Sequence, residues 1–232
     1  MGIVNITPDS FSDGGKFYQP EEAVRRIKNL IAEGADIIDI GAESTRPGAT
    51  PLDWRDEWAR LEPVLRLLSG SVPISVPISI DTYHPETAER ALALGAKIIN
   101  CVYEHPVLDM LKICQKNGAE LIFPAKTLGS VPTELLGSVP TYIDPMIGFG
   151  TTREEDVELL KSLPQLARRG RVLVGASRKR IVKKLVGAKT PGKDIAGNLA
   201  IALFAAMNGA SAVRVHDVKE TVQALRVLKA LQ

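Results

Sequence analysis

Short apolar runs alternate with amphipathic stretches about eight times along this chain, at residues 2–6, 36–41, 77–81, 97–100, 120–123, 142–144, 172–175 and 212–215. Ile, Val and Leu dominate these runs without polar alternation, as in parallel strands covered on both faces. Helical periodicity fills the intervals at 21–33, 53–68, 85–94, 106–117, 154–168, 194–208 and 218–231. Pro20, Pro85 and Pro106 stand where helices begin, and Gly34, Gly95, Gly118, Gly170 and Gly209 where they end. This alternation predicts an α/β fold, a TIM (β/α)8 barrel read as one domain over residues 1–232. One unit is irregular. Between Phe123 and Tyr142 no long helix is legible, only the near-duplicate segments 128–133 and 136–141, so a shortened crossover after strand 5 is expected. A second tandem copy, at 72–75 and 76–79, has no evident physical reason.

Length suits one such barrel: 232 residues, 45% hydrophobic and 24% charged, enough for a sizeable core. A net charge of +2 argues against general attraction to nucleic acid or membrane, so any cationic site must be local. Cys101 and Cys114 form no metal-binding pattern and point to a reducing, cytoplasmic setting. No apolar run approaches the roughly 20 residues a bilayer span needs. Met1 opens almost directly into a strand, so no signal peptide is visible, and native residues ahead of it are an open expectation.

A barrel carries its chemistry at the C-terminal ends of its strands. Off the first strand runs a polar, glycine-rich stretch, 5–15, too long for a tight turn. The strand ends deliver Asn5, the segment 43–48 (Glu-Ser-Thr-Arg-Pro-Gly), Asp81, Asn100, Asp144, Ser177-Arg178-Lys179 and Arg214-Val215-His216-Asp217. Scattered surface polarity would not keep this phase, which predicts a binding or active site on one rim.

Asp81, Asn100 and Asp144 suit a flat heterocycle with adjacent N–H donors, because a carboxylate pairs at two points with a guanidine-like edge. Helix N-capping is the competing use, stronger for Asp81 than for Asn100. Asn5, Arg214 and His216 lie on strands that become neighbours when a barrel closes, and read as a pocket for phosphate or diphosphate. An ion pair between Arg214 and Asp217 is the plainer alternative, disfavoured because Arg214 and His216 share a strand face. Lys179 is a cation placed to hold a ring carbonyl or steady developing charge. Arg180, Lys183 and Lys184 read as a solvated helix face. His84 and His105, each before a proline, read as turn or cap residues.

With these residues in view, the chain resembles the dihydropteroate synthase family, the pterin-binding barrels of folate biosynthesis. The matching segments are MGIVNITPDSFSDGG (1–15), EGADIIDIGAESTRPGA (33–49), ISIDTYHPETAERALALGAKIIN (78–100), IDPMIGFG (143–150), VLVGASRK (172–179) and GASAVRVHDV (209–218). The resemblance implies a transferase condensing 6-hydroxymethyl-7,8-dihydropterin diphosphate with 4-aminobenzoate to give 7,8-dihydropteroate and diphosphate. It implies pterin binding by Asp81, Asn100, Asp144 and Lys179, and diphosphate binding by Asn5, Arg214 and His216, with Mg2+ contacted through Asn5. Loop residues Phe11, Asp13, Thr45, Arg46 and Pro47 would close over the site. Of these, Phe11, Thr45, Arg46 and Pro47 would shape the aminobenzoate pocket, where sulfonamides would compete. Asp13, Arg46 and Lys179 would serve catalysis. A cytoplasmic homodimer is also implied.

The chain departs from the family pattern in places. Cys101 stands where an aspartate is usual, and Leu121-Ile122-Phe123-Pro124 where strand 5 usually carries a Met-His pair. The next crossover is shorter, Met146 replaces a glycine, and Thr151 a lysine. Two other readings compete. A non-catalytic pterin-binding paralogue is favoured by the altered strand 5. A pterin-dependent methyltransferase would share Asp81, Asn100 and Asp144, but needs neither the 5–15 and 44–48 loops nor the Arg-Val-His set.

Overall fold

The computed structural model describes residues 1–7, 19–43, 51–71, 74–103, 105–125, 137, 139–187 and 194–232. Among the described residues, the strands are β1 (Gly2–Asn5), β2 (Ile38–Gly41), β3 (Ile78–Asp81), β4 (Ile98–Asn100), β5 (Glu120–Pro124), β6 (Thr141–Asp144), β7 (Arg171–Val174) and β8 (Ala212–Val213). They pair in parallel and in sequence order. Helices α1 (Pro20–Ala32), α2 (Trp54–Ser71), α3 (Pro85–Ala93) and α4 (Val107–Asn117) alternate with the first strands. Helices α5 (Arg153–Lys161) and α6 (Leu163–Ala167) lead into β7, α7 (Arg180–Val186) and α8 (Ile195–Met207) into β8, and α9 (Val218–Leu231) follows. Gly2 bridges Val215, with Ile3 N–H on the Val215 carbonyl and Val215 N–H on the Met1 carbonyl, both at 3.0 Å. The sheet therefore closes into the expected TIM barrel, so that each of the described strands has a neighbour on both sides.

Local signals explain most element ends. Pro20 and Pro85 occupy the first turns of α1 and α3, while Pro106 sits just outside α4. Gly34, Gly95, Gly118 and Gly209 take positive φ after their helices; Gly170 does not, so it is no left-handed cap. The single helix expected over 154–168 divides at Ser162, because Pro164 brings no N–H to the helical ladder. The expected short crossover falls on residues 125–140, most of which lie outside the described residues.

Two apolar layers result. Outward-facing Ile38, Ile40, Ile80, Ile99, Leu121, Phe123 and Ile143 pack with helix residues such as Ile27, Leu61 and Met110. Inside the barrel, Met1, Ile98, Ile122 and Leu173 form a separate plug. Because strand side chains alternate, the residues in phase with this plug also point inward. Register aligns Asp39 with Ser79, and Gly41 with Asp81 and Asn100. The barrel interior is thus apolar low down and polar toward the C-terminal rim.

Candidate active site at the barrel rim

The polar rows meet in one buried cluster. Asp39 Oδ1 accepts the Ser79 hydroxyl at 2.6 Å; its Oδ2 accepts Asn100 Nδ2 at 3.3 Å and Arg214 Nε at 2.5 Å. Arg214 Nη2 donates to Asp81 Oδ2 at 2.6 Å. Arg214 thus sits between two carboxylates instead of pairing with Asp217, whose partner is Arg178. Burial disfavours the Arg214 charge, yet Asp39 and Asp81 outweigh it and hold its pKa above the ordinary value. Asp81 is pushed up to about 7 by burial, against the pull of Arg214. Gly41 makes this packing possible: a Cβ there would lie 3.3 Å from Asp81 Cβ. Asn100 Oδ1 is buried without a hydrogen-bond partner among the described residues. Buried acceptors are rarely left so, and this one is ready for an N–H from a ligand.

Beside this cluster stand Asp144 and Lys179. Asp144 is buried, and its Oδ1 accepts the Met146 N–H at 2.7 Å. Burial raises its pKa, opposed first by Lys179 and then by that N–H. Met146, where the family usually has glycine, takes φ 62°, a strained value for a side-chain-bearing residue of the kind found near functional sites. Lys179 Nζ donates to the Ile147 carbonyl at 2.5 Å and lies 4.2 Å from the Phe149 ring centroid. Burial lowers its pKa to about 8, with Asp144 the largest opposing influence.

On the neighbouring edge, Ser177 Oγ meets His216 Nδ1 at 3.1 Å and accepts the His216 N–H at 3.3 Å. Asn198 braces the same corner: its Oδ1 accepts the Arg178 N–H at 3.0 Å and its Nδ2 donates to Asp217 at 3.3 Å. Asn5 ends β1 half-buried, with no hydrogen bond from its carboxamide among the described residues. Arg214, bonded to Asp39 and Asp81, is two residues from His216, so the acid cluster and the Ser177–His216 corner adjoin on the rim.

A second polar knot lies on the rim. Thr82 Oγ1 donates to Glu57 Oε2 at 2.7 Å, His84 Nδ1 lies 3.1 Å from the same oxygen, and Tyr83 donates to Glu43 at 3.0 Å. Burial raises the Glu57 pKa. Glu43, Glu57 and His84 mix imidazole with carboxylate donors, which is not the all-oxygen set Mg2+ prefers. Asn5, a neutral oxygen donor, does fit an ion whose other ligands are substrate phosphates and water. His84 is the N-cap residue of α3, as expected, and His105 lies in a turn.

The structure brings Asp81, Asn100, Asp144, Lys179, Arg214 and His216 to the rim together, with Asn5 at the end of the adjoining strand. Phe11, Asp13, Thr45, Arg46 and Pro47 lie outside the described residues. The sequence reading missed Asp39, although a carboxylate inside an Ile-rich strand, in phase with Gly41, was a usable signal. In strand 5, Ile122 joins the barrel plug and Phe123 the outer layer, so no polar group from either replaces the usual Met-His pair. Cys101 is a buried thiol donating to the Tyr103 carbonyl at 3.2 Å, its pKa raised to about 11 by burial.

Comparison with known proteins agrees with this fold. A family model described as pterin binding enzyme matches residues 1–130 and 138–216. A dihydropteroate synthase of Streptococcus pyogenes serotype M6 is 38% identical, covering 100% of this chain and 94% of that protein. The Xanthomonas albilineans dihydropteroate synthase solved with 4-aminobenzoic acid is 38% identical, covers 100% of this chain and 92% of that one, and has a TM-score of 0.90. The same enzyme in complex with 7,8-dihydropteroate is similar at 34% identity and a TM-score of 0.84, with 100% and 92% covered. Sequence and fold agree over the full length, and the chain belongs to the dihydropteroate synthase family of pterin-binding enzymes.

Proposed function

We propose that this chain condenses 6-hydroxymethyl-7,8-dihydropterin diphosphate with 4-aminobenzoate, forming 7,8-dihydropteroate and releasing diphosphate. The observation that carries the assignment of residues is the orphaned Asn100 Oδ1 between Asp81 and Asp144 on the rim. A pterin edge offers adjacent N–H groups, which these acceptors take, while Lys179 faces a ring acceptor. Asn5, His216 and the second terminal nitrogen of Arg214 serve the diphosphate. Ser177 fixes the imidazole of His216 through Nδ1.

In the reaction the C–O bond of the pterin CH2 breaks, its electron pair leaving with the diphosphate. The arylamine nitrogen then attacks the electron-poor CH2 carbon, and the new arylammonium loses a proton to solvent. Cationic side chains at the leaving oxygen lower the barrier by meeting charge as it develops. Alignment of amine and carbon supplies much of the remainder. Mg2+, held with Asn5, would neutralise diphosphate charge as a Lewis acid. Asp13 would steady positive charge on the pterin, and Phe11, Thr45, Arg46 and Pro47 would form the aminobenzoate pocket in which sulfonamides compete. We also read the chain as a single domain working in the cytoplasm, and as a homodimer; the exposed Phe204 and Met207 of α8 and Val227 and Leu231 of α9 support only the last.

Diphosphate release on mixing both substrates with Mg2+ tests the assignment directly. Pterin diphosphate binding without release would instead favour the non-catalytic reading, for which the apolar Ile122 and Phe123 speak.

A further inference from the structure

Asp156, in the first turn of α5, is fully buried and stands outside the ring-facing cluster. Its Oδ1 accepts the Gly148 N–H at 2.7 Å and the Thr151 hydroxyl at 2.5 Å, while Oδ2 is buried without a partner among the described residues. Burying a carboxylate this way is costly, so the turn it holds is informative. That turn wraps Lys179. The Ile147 carbonyl accepts from Nζ, the Phe149 ring faces it, and Gly148 runs against the lysine stem. A Cβ at Gly148, where φ is +78°, would lie 2.9 Å from Lys179 Cδ. Arg180 ties the far end of the same turn to α7 by donating to the Thr151 carbonyl.

We propose that Asp156 is the positioning residue for Lys179, fixing through the Gly148 turn where the ammonium stands on the ring-binding rim. The inference rests on Lys179 being a pterin ligand. A carboxylate at this place also favours the charged lysine; burial and Asp144 act on it more strongly. Thr151, where the family usually has lysine, gives Asp156 a hydroxyl donor instead of a second cation.

The test is a double-mutant cycle read by calorimetry with 6-hydroxymethyl-7,8-dihydropterin. Lys179→Met is expected to weaken binding about tenfold, and Asp156→Ala about tenfold in the wild-type background but less than about twofold beside Lys179→Met. Unchanged affinity in Lys179→Met overturns the lysine assignment itself. Full affinity in Asp156→Ala, or equal losses in both backgrounds, overturns only the positioning role. Asp156→Asn, which keeps an acceptor oxygen and is the safer variant to fold, should restore most affinity. Failure of Asp156→Asn to recover affinity would overturn the positioning role.

Discussion

Arg214 donates to Asp39 and Asp81 across 175 and 133 positions of sequence, so removing it strands a buried and a largely buried carboxylate together. Arg214→Ala is therefore expected to destabilise the fold by about 3–5 kcal/mol, the usual cost of breaking a buried pair. Pterin affinity should fall along with diphosphate affinity, because the acids lose their counter-charge. Adding Asp81→Asn to Arg214→Ala removes one stranded charge and should recover part of the melting temperature; no recovery would mean that the pair is not coupled. Asp81 also sets a pH dependence. Its folded pKa, about 7, lies above the ordinary 3.8, so between about pH 4 and pH 7 the folded state holds a proton that the unfolded state lacks. Its contribution thus lowers stability as pH rises through that window, and the Asp81→Asn variant should show a flatter stability curve in denaturant titrations. Pterin affinity should run the opposite way, falling as pH drops through about 7 and the acceptor oxygen takes a proton.

Strand register decides which residues can act together. Because side chains alternate, slipping β3 by one position would send Asp81 to the helix-facing side and Ile80 into the mouth. Helix α5 matters for a related reason, since it presents Asp156. It begins with a capping box in which Thr152 Oγ1 accepts the Glu155 N–H at 3.2 Å and Glu155 accepts the Thr152 N–H at 2.6 Å. Thr152→Ala is expected to cost about 1 kcal/mol, read as a lower midpoint in thermal unfolding. Loss of pterin affinity in that variant, with the fold intact, would show that α5 transmits its position to Lys179. Much at this level was legible in the sequence. Prolines, glycines and apolar runs act through local sterics, so α9 and the bounds of every strand were readable within a residue or two. The split of α5 from α6 was less so, because the helical pattern runs on past Pro164 and hides the break there.

Barrel closure sets β1, which ends at Asn5, beside the segment after β8 that carries Arg214, and it leaves exposed apolar side chains on the outer helices. Phe204, Met207, Val227 and Leu231 are exposed at 41%, 65%, 61% and 80%, on consecutive helices that pack together. A homodimer through α8 and α9 should therefore be broken by Met207→Glu with Val227→Glu, measured as a halved mass in sedimentation. A wild-type chain that already sediments as a monomer would remove that reading.

The sequence by itself determined that this is an eight-unit α/β barrel, that its polar residues gather at strand ends, and which chemical groups stand there. Periodicity and turn chemistry are local, so they survive reading one residue at a time. Only the tertiary structure decided how those groups pair. It joined Arg214 to Asp39 and Asp81, left Asn100 Oδ1 open, and set Asp156 behind Lys179 through a turn of backbone. Such partnerships depend on which strand tops converge and what burial does to each charge, and neither is written in spacing along the chain.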